Sequence, residues 1–384
     1  MKWVEDPQHD DLRSGVRQVC SGFPGSYWRD LEPDTYPTQF VDAITQAGFL
    51  GALIPEEYGG GGATLTQASV ILEEISASGG NPAACHAQMY VMGTVLRHGS
   101  AEQKLQYLPE LAAGRLRLQA FGVTEPGAGS ETTRISTRAE KVTDGWRING
   151  QKIWTSRALY SDLMLLLART TPYEECAKPT DGLSTFLVDM RNVKGITINP
   201  IKTMINHNTT EVFFDNVVIP DAALVGQAGK GFRYILDGMN AERILIAAEC
   251  IGDGRYLLEK AVDYANQRIV FDRQIGSNQG VQFPLAKAYA QLRAADLVRF
   301  DAAAKYDAGS SCASEANMAK LLASDASWAA ANAAMDTHGG FGFAVEYDIE
   351  RKFRETRLYQ VAPINNNLVL AYLGQHALGL PKSY

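Results

Sequence analysis

Trp146-Arg-Ile148, Leu163-Met-Leu-Leu-Leu167, Thr185-Phe-Leu-Val188, Ile196-Thr-Ile198 and Val212-Phe-Phe214 are short β-rich runs separated by Asp-Gly, Lys-Gly and Asp-Asn turns. Spread over residues 119–225, they predict a compact barrel or sandwich. On either side the period changes. Phe40, Ile44 and Ala47 recur at helical intervals, and Val70, Ile71 and Ile75 follow a Thr-Gln start, with glycine-rich breaks at 59–62 and 79–80. Beyond Gly231 the pattern is helical again, with an alanine-dense stretch from 286 to 334 that permits close helix packing. The expected fold is α+β and multidomain. A helical N-terminal domain covers 1–118, a central β-barrel domain 119–228 and a C-terminal four-helix-bundle domain 229–384.

Length agrees with that division, because 384 residues exceed a domain of roughly 150 residues more than twofold. Hydrophobic residues at 46% and charged residues at 21% describe a well-cored globular chain. Lys and Arg total 36 against 43 Asp and Glu, so the net charge of −7 offers no overall attraction for nucleic-acid phosphate. A phosphate-bearing ligand would need local cations. The cysteines at 20, 85, 176, 250 and 312 are widely spread and form no CxxC pair, which argues against a disulfide framework or a zinc ribbon. The first thirty residues hold Glu5, Asp6, Asp10, Asp11 and Asp30 and no long apolar run, so a cytoplasmic protein without a membrane span is expected.

Familiar chemical signatures are missing. Gly127-Ala-Gly129-Ser-Glu-Thr132 begins like a dinucleotide fingerprint, but Thr132 stands at the last glycine position and no ribose-binding acid follows at the right spacing. Gly229-Lys230-Gly231 lacks the rest of a P-loop. The six histidines have no paired-ligand spacing, so no metal is expected, and GxSxG does not occur.

One residue stands out on spacing alone. Ile235, Met239 and Ile246 form an apolar stripe at intervals of four and seven, and Glu242 falls on it. Such a carboxylate is aimed inward. It is either neutralised by a basic partner, most simply Arg243, or unpaired and suited to taking a proton.

Several further motifs, in order from about residue 40 to 360, together resemble the acyl-CoA dehydrogenases. They are Ile54-Pro-Glu-Glu-Tyr-Gly-Gly60, Val123-Thr-Glu-Pro-Gly-Ala-Gly-Ser130, Asn149-Gly-Gln-Lys-Ile-Trp-Thr-Ser156, Val212-Phe-Phe-Asp-Asn-Val217 with Leu224-Val-Gly226 and Gly229-Lys-Gly-Phe232, Gln267-Arg-Ile-Val-Phe-Asp-Arg273 and His338-Gly-Gly-Phe-Gly342. The resemblance implies FAD held between barrel and C-terminal helices. It points to Phe121, Val123 and Thr124 on the flavin loop, to Trp154 and Ser156 beside the ring, and to Asn365 as a further flavin contact. Arg268, Phe271 and Gln279 match positions that reach a neighbouring subunit's FAD, and Gly339 and Gly340 match the turn on its pyrophosphate. A homo-oligomer, at least a dimer and usually a tetramer, is therefore implied. On the substrate side, Ser130, Met239 and Arg243 match positions along the acyl-CoA thioester. Coenzyme A is polyanionic, so an acidic chain must hold it with placed cations and backbone donors.

The chain departs from the family at the point that matters most for chemistry. Most members carry their catalytic Glu in a C-terminal Tyr-Glu-Gly-Thr segment, whereas this chain reads Tyr359-Gln-Val-Ala-Pro-Ile-Asn-Asn-Asn367, with Pro363 at the Glu position. Isovaleryl- and long-chain acyl-CoA dehydrogenases instead place the base one residue before an arginine on the first helix of the C-terminal domain. That position here is Glu242. The resemblance thus implies α-proton abstraction by Glu242, β-hydride transfer to flavin N5 and formation of a trans-2-enoyl-CoA. Pro363 also lacks the N–H that relatives aim at the thioester oxygen, so Ala362 or Ile364 would have to supply it. Asp336 replaces a Gln that contacts FAD in many members. Ala362-Pro363 in place of Tyr-Glu frees space beside the α-carbon, which suits a branched or otherwise substituted acyl group. The implied acceptor is an electron-transferring flavoprotein. An enoyl-CoA reductase, an oxygen-using oxidase and a catalytically silent FAD or acyl-CoA binding subunit are the alternatives.

Overall fold

The computed structural model describes residues 3 and 5–382. Its chain packs as two units. One comprises residues 33–63 and 83–239; the other comprises 1–32, 64–82 and 240–384, and the division falls inside the helix Gly231–Gln267.

In the first unit, eight strands form one sheet: β1 (Leu118–Gly122), β2 (Arg138–Val142), β3 (Gly145–Ser156), β4 (Leu163–Arg169), β5 (Leu183–Asp189), β6 (Ile196–Pro200), β7 (Thr209–Ile219) and β8 (Leu224–Val225). The order is β6-β7-β3-β2-β4-β5-β8, with β1 parallel to β4. β2 and β4 meet through a single residue pair, Arg138 and Arg169. The two halves fold over a common core of Ile148, Met164, Leu166, Phe186, Val212, Phe214 and Val217. This is the middle β domain expected from the turn-separated runs. β4 is buried on both faces, which explains its unbroken Leu-Met-Leu-Leu-Leu run. Helices α3 (Thr38–Gln46), α5 (Ala83–His98) and α6 (Ala101–Ala112) belong to this unit. α5 covers β1, burying Val91, Met92 and Val95 against Leu118 and Leu165.

The second unit is helical. It contains α1 (Asp10–Cys20), α2 (Gly25–Asp30), α4 (Leu65–Ala77), α7 (Gly231–Gln267) from Asn240 onward, α8 (Gln279–Asp307), α9 (Ala313–His338), α10 (Ile349–Leu358) and α11 (Asn366–Tyr372). α4 starts where sequence suggests, with Thr64 and Gln67 closing a capping box. The alanines of α9, among them Ala326, Ala330 and Ala334, pack on Leu257, Leu258, Leu285 and Leu292, so small side chains bring the helices close. Gly252 serves the same end. A Cβ there would lie 2.2 Å from the carbonyl oxygen of Glu73.

Four of these helices also share a buried charge cluster. Arg13 on α1, Arg255 on α7 and Arg299 on α8 surround Glu73 on α4, with Arg13–Glu73 at 3.0 Å and Arg299–Glu73 at 2.8 Å. Arg13 and Arg255 also pair with Glu74. Burial pushes the Glu73 carboxyl up, but Arg299, Arg255 and Arg13 outweigh it and hold its pKa at about 2. Among the described residues no helix is long and apolar enough to cross a membrane.

Candidate active site

Within the β unit, the segment Val123–Ser130 lies beside the last turn of pleat in β3. The Ile153 N–H donates to Thr124 O (2.9 Å), and Lys152 Nζ to Val123 O (3.0 Å). β3 then loses register with β7 between Lys152 and Thr155, and Trp154 sits at φ 60°. This bulge turns the indole out, leaving Trp154 57% exposed in a strand whose neighbours Lys152 and Thr155 are buried. The half-buried hydroxyls of Thr124 and Ser156 have no hydrogen-bond partner among the described residues. An exposed ring flanked by unused hydroxyls suits a planar heterocycle with polar edges. On that donor set the flavin expected from the sequence fits. Phe121 and Val123 are partly core residues, packing on Leu167, Leu183 and Ile235 of α7. Phe121 also meets Tyr90 edge-on at 5.7 Å. Ser130 is exposed, and Met239 is half-buried in the opening turns of α7.

In the helical unit, Glu242 is fully buried on α7. The stripe argument holds for the residue but not for its reason, since α7 is buried almost all round from Ala241 to Leu258. Two cations sense the carboxylate. Burial pulls the Lys320 ammonium down, with Cys250 and then Glu242 pulling it back up, and burial likewise pulls the Arg243 guanidinium down against Glu242. Arg243 Nη1 donates to Asn240 (3.2 Å), while its buried Nε has no partner among the described residues. Lys320, fully buried on α9, donates to Asn366 Oδ1 at 2.6 Å.

That bond ties α9 to the segment between α10 and α11, residues 359–366. Asn366 Nδ2 donates to Ser324 Oγ (3.1 Å) and Asp325 Oδ1 (3.0 Å), and Gln360 Nε2 donates to Asp325 (3.0 Å). At its other end Tyr359 donates to the buried Asp253 of α7 at 2.8 Å. Within the segment, the Val361 and Ala362 N–H groups both donate to Leu358 O at 2.9 Å. The Ile364 N–H has no acceptor among the described residues. Asn365 caps α11, its Oδ1 accepting from the Leu368 N–H (2.9 Å).

The third group lies on a short hairpin, β9 (Ile269–Val270) and β10 (Arg273–Gln274). Phe271 at its tip is 93% exposed with φ 52°. Arg268 is exposed 6.0 Å from the Phe341 ring centroid, and Gln279, also exposed, opens α8. Gly339 has φ 56° and ψ −128°, a backbone open essentially to glycine alone. A Cβ at Gly339 or Gly340 would meet nothing within 4 Å, so this backbone presents an open face that a pyrophosphate could approach.

Reading the motifs one by one misses the charged supports behind them. Lys152 and Glu125 stand inside two motifs, but their pairing depends on the register of β3 against the loop. Lys320 and Asn366 carry no motif at all.

Three family models match the chain: the acyl-CoA dehydrogenase N-terminal domain over residues 6–115, the middle domain over 120–217 and the C-terminal domain over 229–363. An acyl-CoA dehydrogenase of Mycobacterium bovis is 34% identical over 100% of this chain and 99% of its own length. A 3-(aryl)acrylate reductase of Clostridium sporogenes is 35% identical over 85% of this chain and 86% of its own. Among solved structures, glutaryl-coenzyme A dehydrogenase in complex with glutaryl-CoA superposes with a TM-score of 0.90 at 30% identity, covering 100% of this chain and 98% of that one.

Proposed function

The chain belongs to the acyl-CoA dehydrogenase family, and from that premise we propose that it desaturates an acyl-CoA thioester to the 2-enoyl-CoA with Glu242 as the α-proton base. FAD is the cofactor, and when bound it accepts the β-hydride at N5.

One observation carries the assignment of the base. Glu242 is a fully buried carboxylate at the family's alternative base position, while Pro363 leaves the usual position without one. Lys320 and Arg243 are the cations on which the Glu242 charge acts, so two positive groups lie within electrostatic reach of the proposed base. Proton removal builds negative charge on the thioester oxygen. Val361 and Ala362 have already given their N–H groups to Leu358. Ile364 is therefore the residue proposed to donate to that oxygen. Arg243, Ser130 and Met239 are the residues proposed along the thioester, and Thr124, Trp154 and Ser156 beside the flavin. Arg268, Phe271, Gln279, Gly339 and Gly340 are proposed to hold the adenosine diphosphate part, with the hairpin of one subunit serving its neighbour. The 93% exposure of Phe271 is what a residue reserved for a second copy would show in a single chain. Domain limits of 1–118, 119–228 and 229–384 accompany this reading, as does an electron-transferring flavoprotein as acceptor.

The acyl group is proposed to be branched or substituted at the α-carbon, since Ala362-Pro363 is less bulky than Tyr-Glu. Anaerobic mixing with straight and branched acyl-CoAs tests this: branched substrates should bleach the flavin and yield equimolar enoyl-CoA. A panel in which only straight chains react would contradict the branching. A second reading has its own support, because the Clostridium sporogenes relative is named as a reductase. Reduced enzyme that transfers electrons to an enoyl-CoA, and oxidised enzyme that no acyl-CoA bleaches, would favour it.

A further inference from the structure

Lys152 is fully buried on β3, an unusual place for an ammonium. Its Nζ donates to Val123 O at 3.0 Å and pairs with Glu125 Oε1 at 2.8 Å. Glu125 accepts three more hydrogen bonds, from Ser136 N (2.6 Å), Ser136 Oγ (2.8 Å) and Thr137 N (2.9 Å). One residue along, Ile153 N–H donates to Thr124 O (2.9 Å), and at the next residue the strand bulges and turns Trp154 outward. Three consecutive residues of the loop, 123–125, are thus fastened to the two strand residues before the bulge, Lys152 and Ile153, and Glu125 to 136–137 behind them.

Burying an ion pair is a poor way to gain stability, because desolvating each ion costs several kcal/mol and a well-packed apolar pair often does as well. What the pair supplies is direction. An apolar side chain at 152 could fill the space but could not donate to the Val123 carbonyl, and the Glu125 carboxylate would lose its counter-charge. The residues whose placement follows from these bonds, Thr124, Trp154 and Ser156, are those with exposed ring surface or unpartnered hydroxyls.

We propose that Lys152, through Val123 O and Glu125, is a positioning residue for the flavin, holding Thr124, Trp154 and Ser156 in the one geometry that binds it. This rests on the reading that the loop 121–130 and the strand 149–156 hold FAD.

A pH dependence follows. Burial pulls the Lys152 ammonium down to about 8, and Glu125, the charged group facing it, only partly restores it. Val123 and Gly122 beside Lys152 are neutral, as are Ser136 and Thr137, the other partners of Glu125. Above pH 8 the ammonium is lost from the folded protein while the unfolded chain keeps it up to about 10.5. In that window the unfolded state binds more protons, so this group makes the fold more stable as pH rises. FAD affinity should move the opposite way, which a merely structural lysine would not produce.

The test is equilibrium FAD binding by flavin fluorescence, with a thermal melt alongside, for wild type, Lys152→Met, Glu125→Gln and the double variant. Wild-type Kd should rise at least fivefold from pH 7 to pH 9. Lys152→Met should bind at least tenfold more weakly at pH 7 and be flat across that range, and the double variant should be no worse than the weaker single one. A pH-independent wild-type Kd overturns the proposal without any variant, so misfolding of Lys152→Met cannot shelter it. A Lys152→Met Kd within twofold of wild type also overturns it. Wild type that takes up no FAD at all would overturn the flavin reading itself.

Discussion

Ile364 is the residue proposed to donate to the thioester oxygen at this loop. Pro363 has no N–H, Val361 and Ala362 both donate to Leu358 O at 2.9 Å, and the Asn366 N–H is bonded to Gln360 O at 3.1 Å. Replacing Ile364 with Pro removes the donor proposed for the thioester oxygen. Losing one such donor costs about 3 kcal/mol in the transition state, so Ile364→Pro should slow single-turnover flavin reduction about 100-fold. FAD content should be unchanged, and a rate within a few-fold of wild type would move the donor elsewhere. At this scale the sequence was most informative where a motif also fixes geometry. The burial of Glu242 agrees with the inward aim read from spacing, although its helix is buried almost all round, and the base role proposed for it rests on the arginine that follows. Its cationic company was only half legible, for Arg243 is adjacent in sequence while Lys320 arrives on another helix.

The elements explain why the site has the shape it has. The segment from Tyr359 to Asn366 is fixed to α7 through Tyr359 and Asp253, and to α9 through Asn366 and Lys320. Lys320 therefore bonds the loop while it also feels the charge of Glu242 on α7. Lys320→Met should cost about 3–5 kcal/mol in denaturant unfolding, since it takes a charged donor from Asn366 and one of the two cations that act on the buried Glu242. Asn366→Ala should cost only about 1–3 kcal/mol, because it removes neutral acceptor and donor groups while both cations that act on Glu242 stay. Equal losses for the two would show that Lys320 acts on the loop alone. The order of elements was readable from period: runs of alternating and continuous hydrophobicity gave the strands, and alanine density gave the packed helices. The bulge at Trp154 was not, because a change of register is a property of two strands and Lys152–Thr155 contains no glycine to announce it.

Across the whole molecule, the helical unit gathers chain segments far apart in sequence, 1–32, 64–82 and 240–384. Composition and spacing gave no hint that α1 belongs with the C-terminal helices. Its buried side chains are Arg13, Val16 and Cys20, so the helical stripe begins with a cation that an apolar count passes over. Arg13 nevertheless joins α1 to α4 by pairing with Glu73 and Glu74, and Arg17 adds a second pair to Glu74. Arg13→Ala leaves two buried carboxylates short of a counter-charge and should cost about 3–5 kcal/mol. Limited proteolysis should then cut between α1 and α3 well before the wild type is cut, and equal cutting rates would show that Arg17 and the apolar residues suffice to hold α1. The account as a whole stands on one carboxylate doing the work of another that is absent. The direct measurement is anaerobic single-turnover reduction of the bound flavin by acyl-CoA in wild type and Glu242→Gln. Wild type should bleach, whereas Glu242→Gln should keep its FAD, bind the thioester and bleach at least 100-fold more slowly; bleaching at the wild-type rate would mean that Glu242 is not the base.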